Sequence, residues 1–167
     1  MKRLILTAFA AITLFIGANA QTKIAHINSS ELMNVMPEMK DFEAKMKEHE
    51  AKLRATLEEM QNQLQVDYKA YMEDTTSLAP MMEVKKANLE NLQANIQKFS
   101  QSAEQELMKK KEELYMPIYK RAKTAIDEVA KARGFDYVLD STEGLGILVA
   151  LSANDLMADV KKKLGIL

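Results

Sequence analysis

From Glu38 to Asp74 the chain contains no glycine and no proline, and its apolar positions recur at helical spacing. Phe42, Met46, His49, Leu53, Leu57, Met60, Leu64, Tyr68 and Tyr71 follow one another by steps of four and three, with His49 as a semi-polar member. Positions 42, 53 and 64 are spaced by eleven, as are 46, 57 and 68, and 49, 60 and 71. An eleven-residue repeat keeps the stripe nearly straight or slightly right-handed. Glu43–Lys47, Glu48–Lys52 and Glu50–Arg54 add i,i+4 support on the wet faces. The stretch Thr75 to Pro80 breaks the pattern with β-branched and turn-forming residues. A second helix follows from about Met81 to about Arg133, with Gly134 placed to close it. It carries the same repeat at Ile96, Leu107, Ile118 and Val129, and beside it at Leu92, Ala103, Leu114 and Ala125. Two helices with one period and a short joint predict an antiparallel hairpin. The first helix would be roughly 55 Å long. Pro117 lies inside the second helix, where it removes a backbone donor and predicts a kink that acts as a hinge.

The chain ends read differently. Lys23 to Asn28 reads as a short strand, with Ile24 and Ile27 on opposite, covered faces. Ser29 or Ser30 can cap a short helix through Leu32 and Val35, and Pro37 marks its boundary. After Gly134 the period becomes two: Phe135 to Asp140 reads as a strand, Ser141 to Gly146 as a turn, and Ile147 to Leu151 as a further strand. Ser152 with Asp155 resembles a capping box before a closing helix that carries Leu156, Val160 and Leu164. The expected fold is α+β: a small β-rich body from residues 21–37 and 118–167, and a helical hairpin arm over 38–117. A three-strand sheet leaves open edges, and a closed homo-oligomer would cover them.

Residues 1–20 look like an address. Lys2 and Arg3 precede an apolar run from Leu4 to Ile16, and Ala18-Asn19-Ala20 suits a signal peptidase. Cleavage after Ala20 would leave an exported, soluble chain beginning at Gln21. Loss of Lys2 and Arg3 takes the formal net charge from −1 to −3. That slight acidity argues against a nucleic-acid partner.

The absence of cysteine excludes thiolate metal sites and thiol nucleophiles. His26 and His49 have no companions at metal spacing. Glu58-Glu59 and Glu112-Glu113 are neighbours on one helix, not partners across a cleft. Gly144-Leu145-Gly146 lacks the rest of a dinucleotide loop. The chain therefore reads as a non-enzyme without cofactor or metal. Its methionines are more informative. Tyr71, Met72, Leu78, Met81 and Met82 gather at the expected hairpin tip, where soft side chains can grip varied apolar segments. Lys109-Lys110-Lys111 and Lys120-Arg121-Lys123 bracket Pro117, a charge that the more acidic first helix can neutralise.

Taken in order, Lys23 to Asn28, Met36-Pro37-Glu38, Pro117-Ile118, Ala125 to Ala130, Gly134 to Asp140 and Leu156 to Ile166 resemble the Skp/OmpH family of periplasmic chaperones. The resemblance implies a homotrimer whose arms enclose a cavity. It also implies ATP-independent holding of unfolded outer-membrane proteins in the periplasm. On this reading the tip cluster contacts clients. Ile24, Ile27, Val138, Ile147 and Val149 hold the subunits together. Familiar members are basic, and this slightly acidic chain departs from them in a way that argues against contact with lipopolysaccharide or membrane. The competing reading is an envelope coiled-coil adaptor that binds a folded partner.

Overall fold

A computed structural model describes residues 22–147 and 151–166 of the chain. Its elements are β1 (Ile24–Ile27), α1 (Ser29–Val35), α2 (Pro37–Glu73), α3 (Ala79–Arg133), β2 (Tyr137–Asp140), a 3-10 turn (Ser152–Asn154) and α4 (Met157–Leu164). They fall into two compact units. Residues 22–36 and the described residues from Lys120 onward form one, and Pro37–Tyr119 forms the other. The proposed secretory segment lies outside the described residues.

In the first unit β1 and β2 pair in parallel, from Ile24 opposite Tyr137 to Ile27 opposite Asp140. Parallel strands need a long crossover, and here α1, α2 and α3 all intervene. On its other side β1 makes a single parallel bridge from His26 to Asp155. The Leu156 amide donates to the His26 carbonyl there, at 3.0 Å. β1 is thus the middle of the sheet, and β2 is an edge among the described residues. Alternation puts Ala25 and Ile27 on the inner face, where both are buried with Leu32, Met36, Leu156 and Val160. The helix α3 adds Ala125 and Val129 to this buried set. The expectation that both faces of β1 are covered needs correction: Ile27 is 2% exposed but Ile24 is 45% exposed.

The element ends follow side-chain chemistry. Asn28 caps α1, its Oδ1 accepting the Glu31 amide at 2.9 Å. Ser29 and Ser30 are the first two helical residues instead of the cap. Gly134 closes α3 at φ 71°, with the Phe135 amide reaching the Ala130 carbonyl and the Gly134 amide reaching that of Lys131. This bonding pair uses the left-handed conformation that glycine adopts without steric cost. Ser152 starts the 3-10 turn, and Asp155 accepts the Met157 amide at 2.8 Å, so Asp155 serves the start of α4. Ile147 and Leu151 lie outside any strand, and the centre of the expected further strand, with Val149, lies outside the described residues.

The second unit is an antiparallel hairpin. Near its open end the Phe42 ring meets the Tyr115 ring edge to face, with centroids 6.0 Å apart. Further along, His49 faces Glu106 at 3.8 Å. At the loop, Asp74 pairs with Lys85. Phe42, Met46, His49, Leu53, Leu57, Met60, Leu64 and Tyr71 are half-buried, as the periodicity predicts, whereas Tyr68 is exposed. Leu92, Ile96, Ala103, Leu107 and Leu114 are half-buried on α3. No residue of α2 is fully buried. A two-helix layer covers only one side of each stripe, so partial burial is the physical limit. Lys52–Glu48 at 2.6 Å and Arg54–Glu50 at 3.0 Å line the wet face. Pro117 lies inside α3, which is helical on both sides of it.

Candidate functional site

Five residues, Asp74 to Leu78, join α2 to α3. Asp74 organises them. One carboxylate oxygen accepts the amides of Thr76 and Ser77, each at 2.9 Å, and the Thr76 hydroxyl at 3.1 Å. The other accepts the Ser77 hydroxyl and the Lys85 ammonium. The Asp74 side chain is 10% exposed. Lys85 first, then the Ser77 hydroxyl and the two amides, hold its carboxyl well below the usual carboxylate range. The tip therefore carries a charged, saturated knot.

Around that knot the apolar residues are open. Leu78 is 75% exposed, and Met72 and Met81 are also exposed, whereas Tyr71 and Met82 are half-buried. All five belong to the loop end of the hairpin, but they divide into three open and two inward side chains. Sequence reading missed Val66 and Val84, which are exposed nearby. Their polar neighbours and off-stripe positions hide them from a periodicity search. Below the tip both helices line an apolar groove, with Leu64, Tyr68 and Tyr71 on one side and Leu89 on the other.

A second open surface lies on the sheet. Ile24 and Tyr137 are register partners and so share a face, which Leu139 joins two residues along β2. All three are exposed, Tyr137 at 62%. Of the residues expected to hold subunits together, Ile24 lies on this face and Val138 is half-buried. Ile27 is buried in the chain's own core, Ile147 is half-buried in a loop, and Val149 lies outside the described residues. Tyr137 and Leu139 alternate with Asp136, Val138 and Asp140, a pattern that predicts a buried Tyr137–Leu139 face and not the open one the structure shows.

The histidines have structural surroundings. His26 Nε2 lies 2.9 Å from the Leu151 carbonyl and Nδ1 lies 3.3 Å from Ser141 Oγ. Among the described residues no group of three His, Cys, Asp or Glu could hold a metal ion, and no helix is long and apolar enough to cross a membrane. The basic segments near Pro117 are partly matched along their own helix, Lys110 with Glu113 and Lys123 with Asp127.

Residues 23–164 match the family model for outer membrane protein, OmpH-like. Two relatives named Chaperone protein Skp are similar over 98% of this chain and 99% of their own. The one from Photorhabdus luminescens is 30% identical, and the one from Photorhabdus laumondii is 29% identical. A solved structure described as OmpH-like, from Caulobacter crescentus CB15, superposes with a TM-score of 0.74 at 20% identity. That likeness covers 88% of this chain and 86% of the other, and it extends to the fold. With a parallel β1–β2 pair, a long helical hairpin and a match spanning residues 23–164, the chain belongs to the OmpH-like outer membrane protein family.

Proposed function

We propose that the protein is an ATP-independent periplasmic holdase that keeps unfolded outer-membrane proteins from aggregating. The observation that carries this reading is the open apolar tip, where Leu78 in the loop and Met72 and Met81 on the adjoining helix ends stand exposed around a loop already held by its own hydrogen bonds. Flexible thioethers adapt to many apolar partners without demanding one sequence. Each contact is weak, and several tips in one assembly would add through multivalency. The relatives named as chaperones support the reading.

Several parts belong to the same proposal. Residues 38–117 form the holding arm, and 21–37 with 118–167 form the oligomerisation body. The subunits join as a homotrimer through the β2 edge and the face bearing Ile24, Tyr137 and Leu139, since an open edge needs a partner. Pro117 is the hinge. Export uses residues 1–20, with cleavage after Ala20.

The test uses an unfolded outer-membrane barrel protein diluted from urea without nucleotide. The protein should keep it soluble. Replacing Tyr71, Met72, Leu78, Met81 and Met82 together with Ser should weaken that holding and leave melting of the sheet-bearing unit nearly unchanged. Aggregation at the same rate with wild-type protein present would overturn the holdase reading. Full holding by the five-Ser variant would remove the tip from it. The groove of Leu64, Tyr68, Tyr71 and Leu89 favours a second reading, an adaptor that seats a partner helix. That reading predicts capture of a folded protein and indifference to unfolded barrels.

A further inference from the structure

The start of α3 breaks a local rule. The residue before a helix normally brings a short acceptor side chain to the first free amides. Here Leu78 holds that place. Its carbonyl accepts the Met81 amide at 2.9 Å and the Met82 amide at 3.1 Å, while its side chain points to solvent. Ser77, one residue earlier, has the preferred chemistry. Both its amide and its hydroxyl are instead committed to Asp74. Pro80, the second residue of α3, has no amide hydrogen, so one donor that a cap would serve is missing. The helix can therefore begin on an apolar residue at reduced cost.

Nothing in packing rewards this choice. The hydrophobic effect favours turning Leu78 inward, toward half-buried neighbours such as Met82. A Ser77 freed from Asp74 could move into the capping place and allow that turn. Local rules broken without a packing gain mark functional places.

We propose that Asp74 is the positioning residue of the client-contact tip: by binding Thr76, Ser77 and Lys85 it keeps Leu78 at the helix start and open to solvent. This rests on the tip reading above. Lys85 comes from the second turn of α3, so the same carboxylate also ties the two helix ends together. The exposed face is thus presented in one conformation before any client arrives, and client binding need not order it.

The experiment compares full-length wild type, Asp74→Ala and Asp74→Asn. Two quantities are read: hydrogen exchange at the Thr76 and Ser77 amides, and the protein concentration that half-suppresses aggregation of an unfolded barrel protein. Asp74→Ala should lose amide protection and need about fivefold more protein, as for a tip in its competent form only about one-fifth of the time. Asp74→Asn keeps an acceptor oxygen for the two amides but loses the Lys85 ion pair and the acceptor for the Ser77 hydroxyl, so it should lie between wild type and Asp74→Ala in both readouts. Melting of the sheet-bearing unit should be unchanged in each variant, which separates positioning from general loss of structure. Lost protection with wild-type holding would overturn the proposal, as would retained protection in Asp74→Ala. An Asp74→Asn variant as weak as Asp74→Ala would also overturn it. The five-Ser variant separates the two ideas: if it holds clients fully, the tip reading fails, whereas a weak five-Ser variant beside a normal Asp74→Ala overturns only the role of Asp74.

Discussion

Asp140, the last residue of β2, accepts both the amide of Ser29 at 3.2 Å and the Ser29 hydroxyl, joining residues 111 positions apart. Thr142 adds its amide at 2.9 Å and its hydroxyl at 2.6 Å to the same carboxylate. Burial pushes this carboxyl up, but the bonds from Ser29 and Thr142 outweigh it and leave it at about 2. The link fastens the end of β2 to the start of α1.

This gives stability a defined acid limit. The folded pKa lies below the unfolded value of about 3.9, so the carboxylate stabilises fully above about pH 4. Its contribution fades as pH falls through the folded value of about 2. Asp140→Ala should cost about 1–3 kcal/mol near neutral pH by leaving partly buried donors unserved. The melting-temperature gap between wild type and Asp140→Asn should close on acidification across that window. A gap independent of pH would assign the effect to something other than the charge.

The contact between Phe42 and Tyr115 ties the two hairpin helices in register at their open end. Tyr115 also stacks on Tyr119, with centroids 6.4 Å apart. A double-mutant cycle with Phe42→Leu and Tyr115→Leu, followed by urea unfolding, should show coupling of about 0.5–1.5 kcal/mol. Additive single mutants would mean that the rings adjoin without interacting.

Leu139→Asp tests the open sheet face. A carboxylate placed there would be buried without a partner in any assembly that uses this face. If the proposed trimer forms through this face, native mass spectrometry should show the trimer for wild type and the single chain for Leu139→Asp, with helical circular dichroism retained. An unchanged oligomer would direct attention to another surface.

Pro117 cannot donate to the carbonyl of Glu113 one turn back. Pro117→Ala restores that donor and should stabilise α3 by up to about 3 kcal/mol. If Pro117 is the hinge, small-angle scattering should show a narrower spread of conformations and the range of client sizes held should shrink. An unchanged scattering profile would leave Pro117 as a local defect only.

The helices were legible because their signals are local. Steps of four and three from Phe42 to Tyr71 depend on near neighbours, and α2 runs Pro37–Glu73 against an expected Glu38–Asp74. Gly134 marks the end of α3 for the same reason, since its positive φ is a single-residue property. Neighbouring residues alone therefore determine that this chain forms two long helices with one broken joint. They say much less about the short strands. Alternation puts Ile24 and Ile27 on opposite faces, but only the packing of Leu32, Met36, Leu156 and Val160 decides that the Ile27 face is buried and the Ile24 face open. Asn28 caps α1 because the Ser29 groups are drawn to Asp140. Asp74 reads as one more solvated acid until the turn folds and Lys85 reaches it from eleven residues away. Helical hydrogen bonds close within four residues and leave their period in the sequence. Strand partners and saturated carboxylates join distant residues, so only the tertiary structure decides which side chains stay open.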